Sequence, residues 1–273
     1  GLGDVYKRQG YWCFIQYEFY KQWDSLKKYA NSQGIEIIGD IPIYMGYDSV
    51  DVWAGQKEFQ LDENLTPVKV AGVPPDAFSD KGQKWGNPLY DWEYHKKTGY
   101  KWWIDRLQFS ASIYDIVRID HFRGFESYYA VPYGDETAEN GEWRKGPGAE
   151  LFKAAEKALG KLNIIAEDLG FITEDVYKML ADVGYPGMKI LQFAFGEDSA
   201  NEHLPHNFTS SNCIAYTGTH DNETLKGWVS SQSSDTLKYC MAYLGVKKKK
   251  DIPKNIITVS YTHLRAHETV LDL

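Results

Sequence analysis

The sequence has few of the features that mark secreted, membrane or nucleic-acid-binding proteins. Its three cysteines, Cys13, Cys213 and Cys240, lack CxxC spacing, so we expect a reducing, cytoplasmic location without a disulfide framework. No apolar run is long enough to span a bilayer, so we expect no membrane partner. The net charge of −8 argues against nucleic acid as the main partner. HxH and HExxH spacings are also missing, so we predict neither metal nor cofactor.

Aromatic residues are abundant. The chain contains 9 Trp, 20 Tyr and 12 Phe, or 15% of its residues, enough both to fill a core and to line a binding cleft. Sugar rings have apolar faces that stack on aromatic rings, so this composition is compatible with a carbohydrate ligand. For any single ring, a place in the core is the favoured interpretation.

Helical and strand patterns alternate along the chain, which predicts an α/β fold with a parallel sheet and right-handed crossovers. Helices are predicted at 15–31, 91–111, 151–159 (closed by Gly160), in a short segment opened by Thr173, and at 223–244. Strands are predicted near 35–41, 115–120, 162–166, 187–193 and 213–216. Long connections are predicted at 44–90 and 133–148. Five strands cannot close a barrel of eight, so the pattern alone allows an open sheet or part of a barrel.

The two ends of the sequence differ from the middle. Residues 1–9 show neither helical nor strand periodicity, and residues 258–273 follow an Asp-Ile-Pro segment without a motif. Both resemble translated adapter sequence. We therefore expect residues 10–257 to form the domain and both ends to be non-native.

Three carboxylates each follow a short apolar run. They are Asp120, Glu167 and Asp221. In a parallel barrel, catalytic residues come from the carboxyl ends of different strands, and paired carboxylates are the machinery of glycoside chemistry. Each acid taken alone is better explained as a structural or turn residue.

Basic side chains accompany two of these acids. Arg118 lies two residues before Asp120, hence on the same face of the strand, where its charge would keep that carboxylate ionised. His121 and His220 each adjoin an acid, which shifts the balance from a structural role toward a functional one.

Five sequence blocks, in order, resemble the active-site blocks of 4-alpha-glucanotransferases, the amylomaltases or disproportionating enzymes of glycoside hydrolase family 77 in the alpha-amylase clan. They are GDIPIY from Gly39, AGVPPDAFS from Ala71 with WGNPLY from Trp85, VRIDHFRGF from Val117, AEDLG from Ala166 and THDN from Thr219. The resemblance implies a (β/α)8 TIM barrel of which roughly strands three to seven are present. It also implies an insertion after the first visible strand, and a chain that is a fragment of the enzyme.

The resemblance also implies a role for each site residue. Asp120 resembles the nucleophile, Glu167 the general acid/base, and Asp221 the third acid, which binds the reacting sugar. The implied substrate-binding residues are Arg118, His121, His220, Asp40, Phe78, Trp85 and Asn87.

Three functions stay open at this point. The first is transfer of α-1,4-glucan segments from a maltooligosaccharide donor to a sugar acceptor. The second is hydrolysis of the same bond, because the carboxylates alone do not distinguish the two reactions. The third is a catalytically inert, truncated barrel.

Overall fold

The computed structural model describes residues 2–76, 79–196 and 198–265. The chain divides into two compact units, Gly1–Tyr185 and Pro186–Leu273. Phe78 lies outside the described residues. Within the described part of the chain, no helix is both long and apolar enough to cross a membrane.

The first unit contains six helices and seven strands among its described residues. The helices are α1 (Leu2–Ser32), α2 (Val50–Ala54), α3 (Trp92–Lys97), α4 (Lys101–Ile113), α5 (Ala149–Leu159) and α6 (Glu174–Val183). The strands are β1 (Ile38–Pro42), β2 (Lys69–Val73), β3 (Gln83–Pro88), β4 (Ile116–Asp120), β5 (Ser127–Pro132), β6 (Glu142–Lys145) and β7 (Ile164–Ala166).

Strands β1, β4 and β7 form a parallel sheet in that order. In its register, Asp40 lies opposite Arg118, and Ile119 lies opposite Ala166. All three strands therefore end at the same edge of the sheet. Helices α4 and α5 contribute Trp103 and Phe152 to the buried core that also contains Ile119.

A second, antiparallel sheet has the order β3-β2-β5-β6. Strands β2 and β3 belong to the connection that follows β1, and β5 and β6 belong to the one that follows β4. The antiparallel sheet thus pairs strands from two connections, both of which begin at the carboxyl edge of the parallel sheet. The predicted insertion after the first visible strand contains β2 and β3.

The second unit contains two parallel strands, β8 (Gly187–Ile190) and β9 (Cys213–Tyr216). Its helices are α7 (Leu225–Ser231), α8 (Ser234–Leu244) and α9 (Ile252–Arg265). Its core combines buried side chains of α7, α8 and α9, such as Trp228, Cys240 and Ile256, with buried residues between β8 and β9, such as Leu191 and Phe195.

Most predicted elements are present, with five differences. The predicted connection 44–90 contains α2, β2 and β3. The predicted helix 91–111 is divided because Tyr100 has a left-handed backbone conformation (φ 59°) after Gly99. The predicted loop 133–148 contains β6, whose residues pair with β5. The predicted helix 223–244 is divided at Gln232, which caps α7, and Ser233, which caps α8. The predicted strand 187–193 ends at Ile190 and continues as a 3-10 turn.

Three of the five predicted strands pair in the parallel sheet of the first unit, and the other two pair with each other in the second unit. Helix α1 begins at Leu2, well before the predicted residue 15, and α9 extends to Arg265. The boundaries 10–257 for the native domain, and the non-native origin of the two ends, stay predictions.

Candidate active site

Arg118 links two carboxylates at the carboxyl edge of the parallel sheet. Its Nη1 donates to both oxygens of Asp40 at 2.7 Å and lies 3.2 Å from Oδ1 of Asp120. The guanidinium is buried, whereas both carboxylates are about half exposed. Burial opposes the charge of Arg118, but its hydrogen bonds and the charges of Asp40 and Asp120 raise its pKa overall. Arg118 therefore lies between the two carboxylates, and about half of the Asp120 side chain stays exposed.

Replacing this cation should weaken the fold. We expect Arg118→Met to lower the free energy of unfolding by about 1–3 kcal/mol, because Asp40 and Asp120 would face each other without a shared donor. The measurement is urea unfolding near neutral pH. The matched control is Arg144→Met, which removes an exposed ion pair with Glu142 and should cost less than about 1 kcal/mol. Equal losses in the two variants would contradict this role.

Glu167 follows β7 directly and is 8% exposed. Its Oε2 accepts the His121 N–H at 2.7 Å, and its Oε1 accepts the Leu169 N–H at 2.7 Å. Backbone hydrogen bonds join its N–H to the Ile119 carbonyl, and its carbonyl to the Phe122 N–H. The ends of β4 and β7 are thereby tied together, and the carboxyl group of Glu167 is held beside the end of β4.

The environment of Glu167 suits a group that both gives and takes a proton. Burial raises its pKa to about 7, and the negative charge of Asp120 acts in the same direction. The hydrogen bonds from Leu169 and His121, and the charge of Arg118, oppose this rise. A carboxyl group with a pKa near neutrality has the property that general acid–base catalysis requires.

His121 forms the turn between β4 and the 3-10 segment Phe122–Phe125. Its φ of 53° places it in the left-handed region, where histidine is commoner than most side chains. The ring packs edge-to-face on Trp85, with centroids 4.9 Å apart. Burial, with a contribution from Arg123, lowers the pKa of His121 to about 4, so the ring is neutral near pH 7 and can donate or accept a hydrogen bond.

Two other predicted binding residues differ in their contacts. Trp85 is 38% exposed, and its Nε1 donates to the side chain of Gln83, so its ring is available to a ligand. Asn87 is half-buried and donates to the Met45 carbonyl at 3.0 Å, which gives its amide a structural contact. A substrate-binding role stays a prediction for both.

A cleft of about 430 Å³ is lined by His121 and Leu169, the two residues whose N–H groups hold the Glu167 carboxyl. We call it the aromatic cleft; its lining includes Val73, Pro74, Pro75, Asp76, Gln83, Trp85, His121, Arg123, Trp143, Leu169, Gly170 and Phe171. Sequence reasoning did not single out Arg123, Trp143 or Phe171. Trp143 lies in the segment predicted to be an irregular loop, where a lone tryptophan between Glu142 and Arg144 was the one available signal.

Asp221 and His220 lie in the second unit, on the loop after β9. Both side chains are exposed, and His220 Nε2 lies 3.4 Å from Asp221 Oδ1. Buried Gln192 anchors this loop: its side chain donates to the Glu223 carbonyl at 2.8 Å, and its N–H donates to the Thr217 carbonyl at 3.2 Å. Within its own unit, Asp221 is thus presented on a fixed loop as an exposed acid.

Metal-binding clusters are missing from the described residues: no group of three or more His, Cys, Asp or Glu side chains is placed to hold an ion. The expectation that no metal is required stays a prediction.

The first unit is therefore an α/β unit in which the half-exposed carboxylate of Asp120 and the buried carboxyl of Glu167, whose pKa is raised to about 7, lie at the ends of neighbouring parallel strands. Glycoside chemistry uses a pair of carboxyl groups. The chain belongs to glycoside hydrolase family 77, whose model, described as 4-alpha-glucanotransferase, matches residues 3–270.

Individual relatives agree with this family. The chain is 58% identical over 219 residues to a 4-alpha-glucanotransferase of Clostridium butyricum (80% of this chain, 45% of the relative). It is 49% identical over 264 residues to one of Streptococcus pneumoniae (94% and 52%). Among solved structures, it is similar to an amylomaltase from Streptococcus agalactiae in complex with acarbose (TM-score 0.88, 46% identity, 91% of this chain and 50% of that one). The chain spans about half the length of the relatives it matches.

Proposed function

We propose that this chain carries the nucleophile and the acid/base of a 4-alpha-glucanotransferase that acts by retaining double displacement. The carboxylate of Asp120 attacks the anomeric carbon of an α-1,4-glucan, while Glu167 gives its proton to the departing sugar oxygen. Glu167, now ionised, takes a proton from the 4-hydroxyl of an acceptor sugar, which attacks the glycosyl ester and releases Asp120. The observation that carries the proposal is the buried Glu167, with its pKa near 7, held beside the end of the strand that carries Asp120.

The other predicted residues have supporting roles in this proposal. Arg118 keeps Asp120 ionised and oriented, and Asp40 holds Arg118. Asp221 supports distortion of the reacting ring. The sugar-binding residues are His121, His220, Trp85, Asn87 and Phe78. We further propose that the five parallel strands correspond to the third to seventh strands of a (β/α)8 barrel, and that the protein acts on maltodextrins in the cytoplasm.

Transfer is favoured over hydrolysis by the names of the relatives, which are transferases.

The test is incubation of the chain with maltotriose, followed by chromatography of the products. Glucose together with maltodextrins longer than maltotriose supports the transferase. Glucose and maltose without longer products support the hydrolase, and no turnover supports the inert chain.

The pKa of Glu167 predicts a pH dependence. Because burial raises this pKa to about 7, the acid form required for sugar departure is lost above that pH. We expect kcat/KM for maltotriose to fall about tenfold per pH unit above pH 7. Fluoride leaves without needing a proton, so kcat/KM for α-maltosyl fluoride should lack this alkaline decline. Equal declines for both substrates would show that Glu167 is not the acid.

The same shift has a consequence for stability. Between the ordinary glutamate value of 4.5 and about 7, the folded chain keeps a proton that the unfolded chain has lost. The contribution of Glu167 to the free energy of unfolding therefore decreases as the pH rises from 4.5 to about 7.

A further inference from the structure

Three residues of the aromatic cleft are connected by contacts that the proposed mechanism does not use. The Arg123 guanidinium lies over the Trp143 ring, 4.1 Å from its centroid. Arg123 Nη1 donates to the Phe171 carbonyl at 3.0 Å, and Nη2 donates to Ser127 Oγ at 2.9 Å. One buried cation thus fixes Trp143 on β6 and Phe171 on the loop after β7 in the same cleft.

The rings that Arg123 connects are exposed, although Arg123 itself is 4% exposed. Trp143 is 41% exposed and Phe171 is 75% exposed. Exposed aromatic rings beside polar groups are suited to pyranose units, because a ring stacks on the apolar sugar face while neighbouring oxygens and amides bind the hydroxyls. Asp76 and Gln83 provide such groups in the cleft lining.

The position of the cleft indicates which side of the scissile bond it serves. Its lining includes His121 and Leu169, whose N–H groups hold the Glu167 carboxyl, although none of Glu167, Asp120 and Asp40 is among the described residues that line it. In a retaining mechanism, the nucleophile faces the donor sugar, and the acid/base faces the oxygen that belongs to the leaving group and later to the acceptor. We place the cleft on the acceptor side because two of its lining residues hold the Glu167 carboxyl.

We propose that Trp143 and Phe171 form a stacking platform for the acceptor glucan, and that Arg123 is its positioning residue. This inference rests on the proposed function and deepens it: the platform would hold a sugar acceptor in place, so that its 4-hydroxyl rather than water reaches the glycosyl ester. The β5–β6 hairpin, which carries Trp143, would thereby help to select the acceptor.

The test uses α-maltosyl fluoride as donor and glucose as acceptor, with fluoride release as the readout. Release without glucose reports glycosyl-enzyme formation and its hydrolysis, and the added release with glucose reports transfer. For Trp143→Ala and Phe171→Ala, we expect the KM for glucose to rise about tenfold when each variant's rates are normalised to its own acceptor-free release. Trp143→Phe, which keeps an aromatic ring, should recover most of the effect and covers the case in which the alanine variant fails to fold.

The matched control is Trp53→Ala, which removes an exposed tryptophan that lines a different groove and should leave the KM for glucose unchanged. Arg123→Lys keeps the charge but loses the planar fork, so it should raise the normalised KM for glucose; a merely structural role would lower both rates together.

Three outcomes would overturn the platform. If the normalised KM for glucose of both alanine variants stayed within twofold of the parent value, the platform would be refuted, but the proposed function would not be. Fluoride release without stimulation by glucose would also refute the platform and favour hydrolysis. No fluoride release from the parent chain would overturn the proposed function, and the platform with it.

Discussion

Asp120→Asn is expected to abolish fluoride release from α-maltosyl fluoride, with a loss on the order of 10⁴-fold or more. The amide has nearly the shape of the carboxylate but cannot form the glycosyl ester. The fold should survive, because Asp120 is about half exposed and Arg118 keeps its two hydrogen bonds to Asp40. The measurement is the initial rate of fluoride release, with a thermal unfolding curve recorded for each variant.

A matched control is Asp105→Asn on α4, which neutralises an exposed carboxylate paired with Lys101 and should leave the rate within twofold of the parent. If Asp120→Asn released fluoride within tenfold of the parent rate, the nucleophile would have to be another residue, and the proposed mechanism would be wrong.

Glu167→Ala is expected to separate the two half-reactions. Fluoride needs no proton to leave, so one equivalent per chain should be released in a burst. Turnover should then slow by about 10²–10⁴-fold, because no base activates the acceptor. Added azide, a nucleophile that requires no base, should restore turnover and give a glycosyl azide. The readouts are the time course of fluoride release and chromatography of the products.

Asp168→Asn is the corresponding control, since it changes the next acid along the chain and should show neither the burst nor azide dependence. A Glu167→Ala variant that transferred to glucose at the parent rate would contradict the assignment of Glu167 as the acid/base.

The sequence predicted the local part of this site well. The apolar runs before Asp120 and Glu167 are buried strands that end where the acids begin, and Arg118 does contact Asp120 from the same strand. These features depend on residues close in the sequence, because side chains two apart in a strand share a face.

The remaining features depend on tertiary contacts. Trp143 gains its position from Arg123 and from Tyr129, its neighbour across the β5–β6 pair, and nothing within residues 133–148 reveals either partner. The hydrogen bonds of Gln192 to the loop of Asp221 likewise join segments about 30 residues apart. The pairing order of the strands within each unit also depends on residues far apart in the sequence, which periodicity does not encode.

The central claim is that Asp120 forms a covalent bond with the glucan. The most direct test is intact mass spectrometry of Glu167→Ala after incubation with α-maltosyl fluoride, followed by proteolysis and peptide mapping. We expect a mass increase of one maltosyl unit on the peptide that contains Asp120. Treatment with azide should remove this increase, and it should be missing from the double variant that combines Glu167→Ala with Asp120→Asn. A maltosyl unit on any other residue, or unmodified chain despite fluoride release, would contradict it.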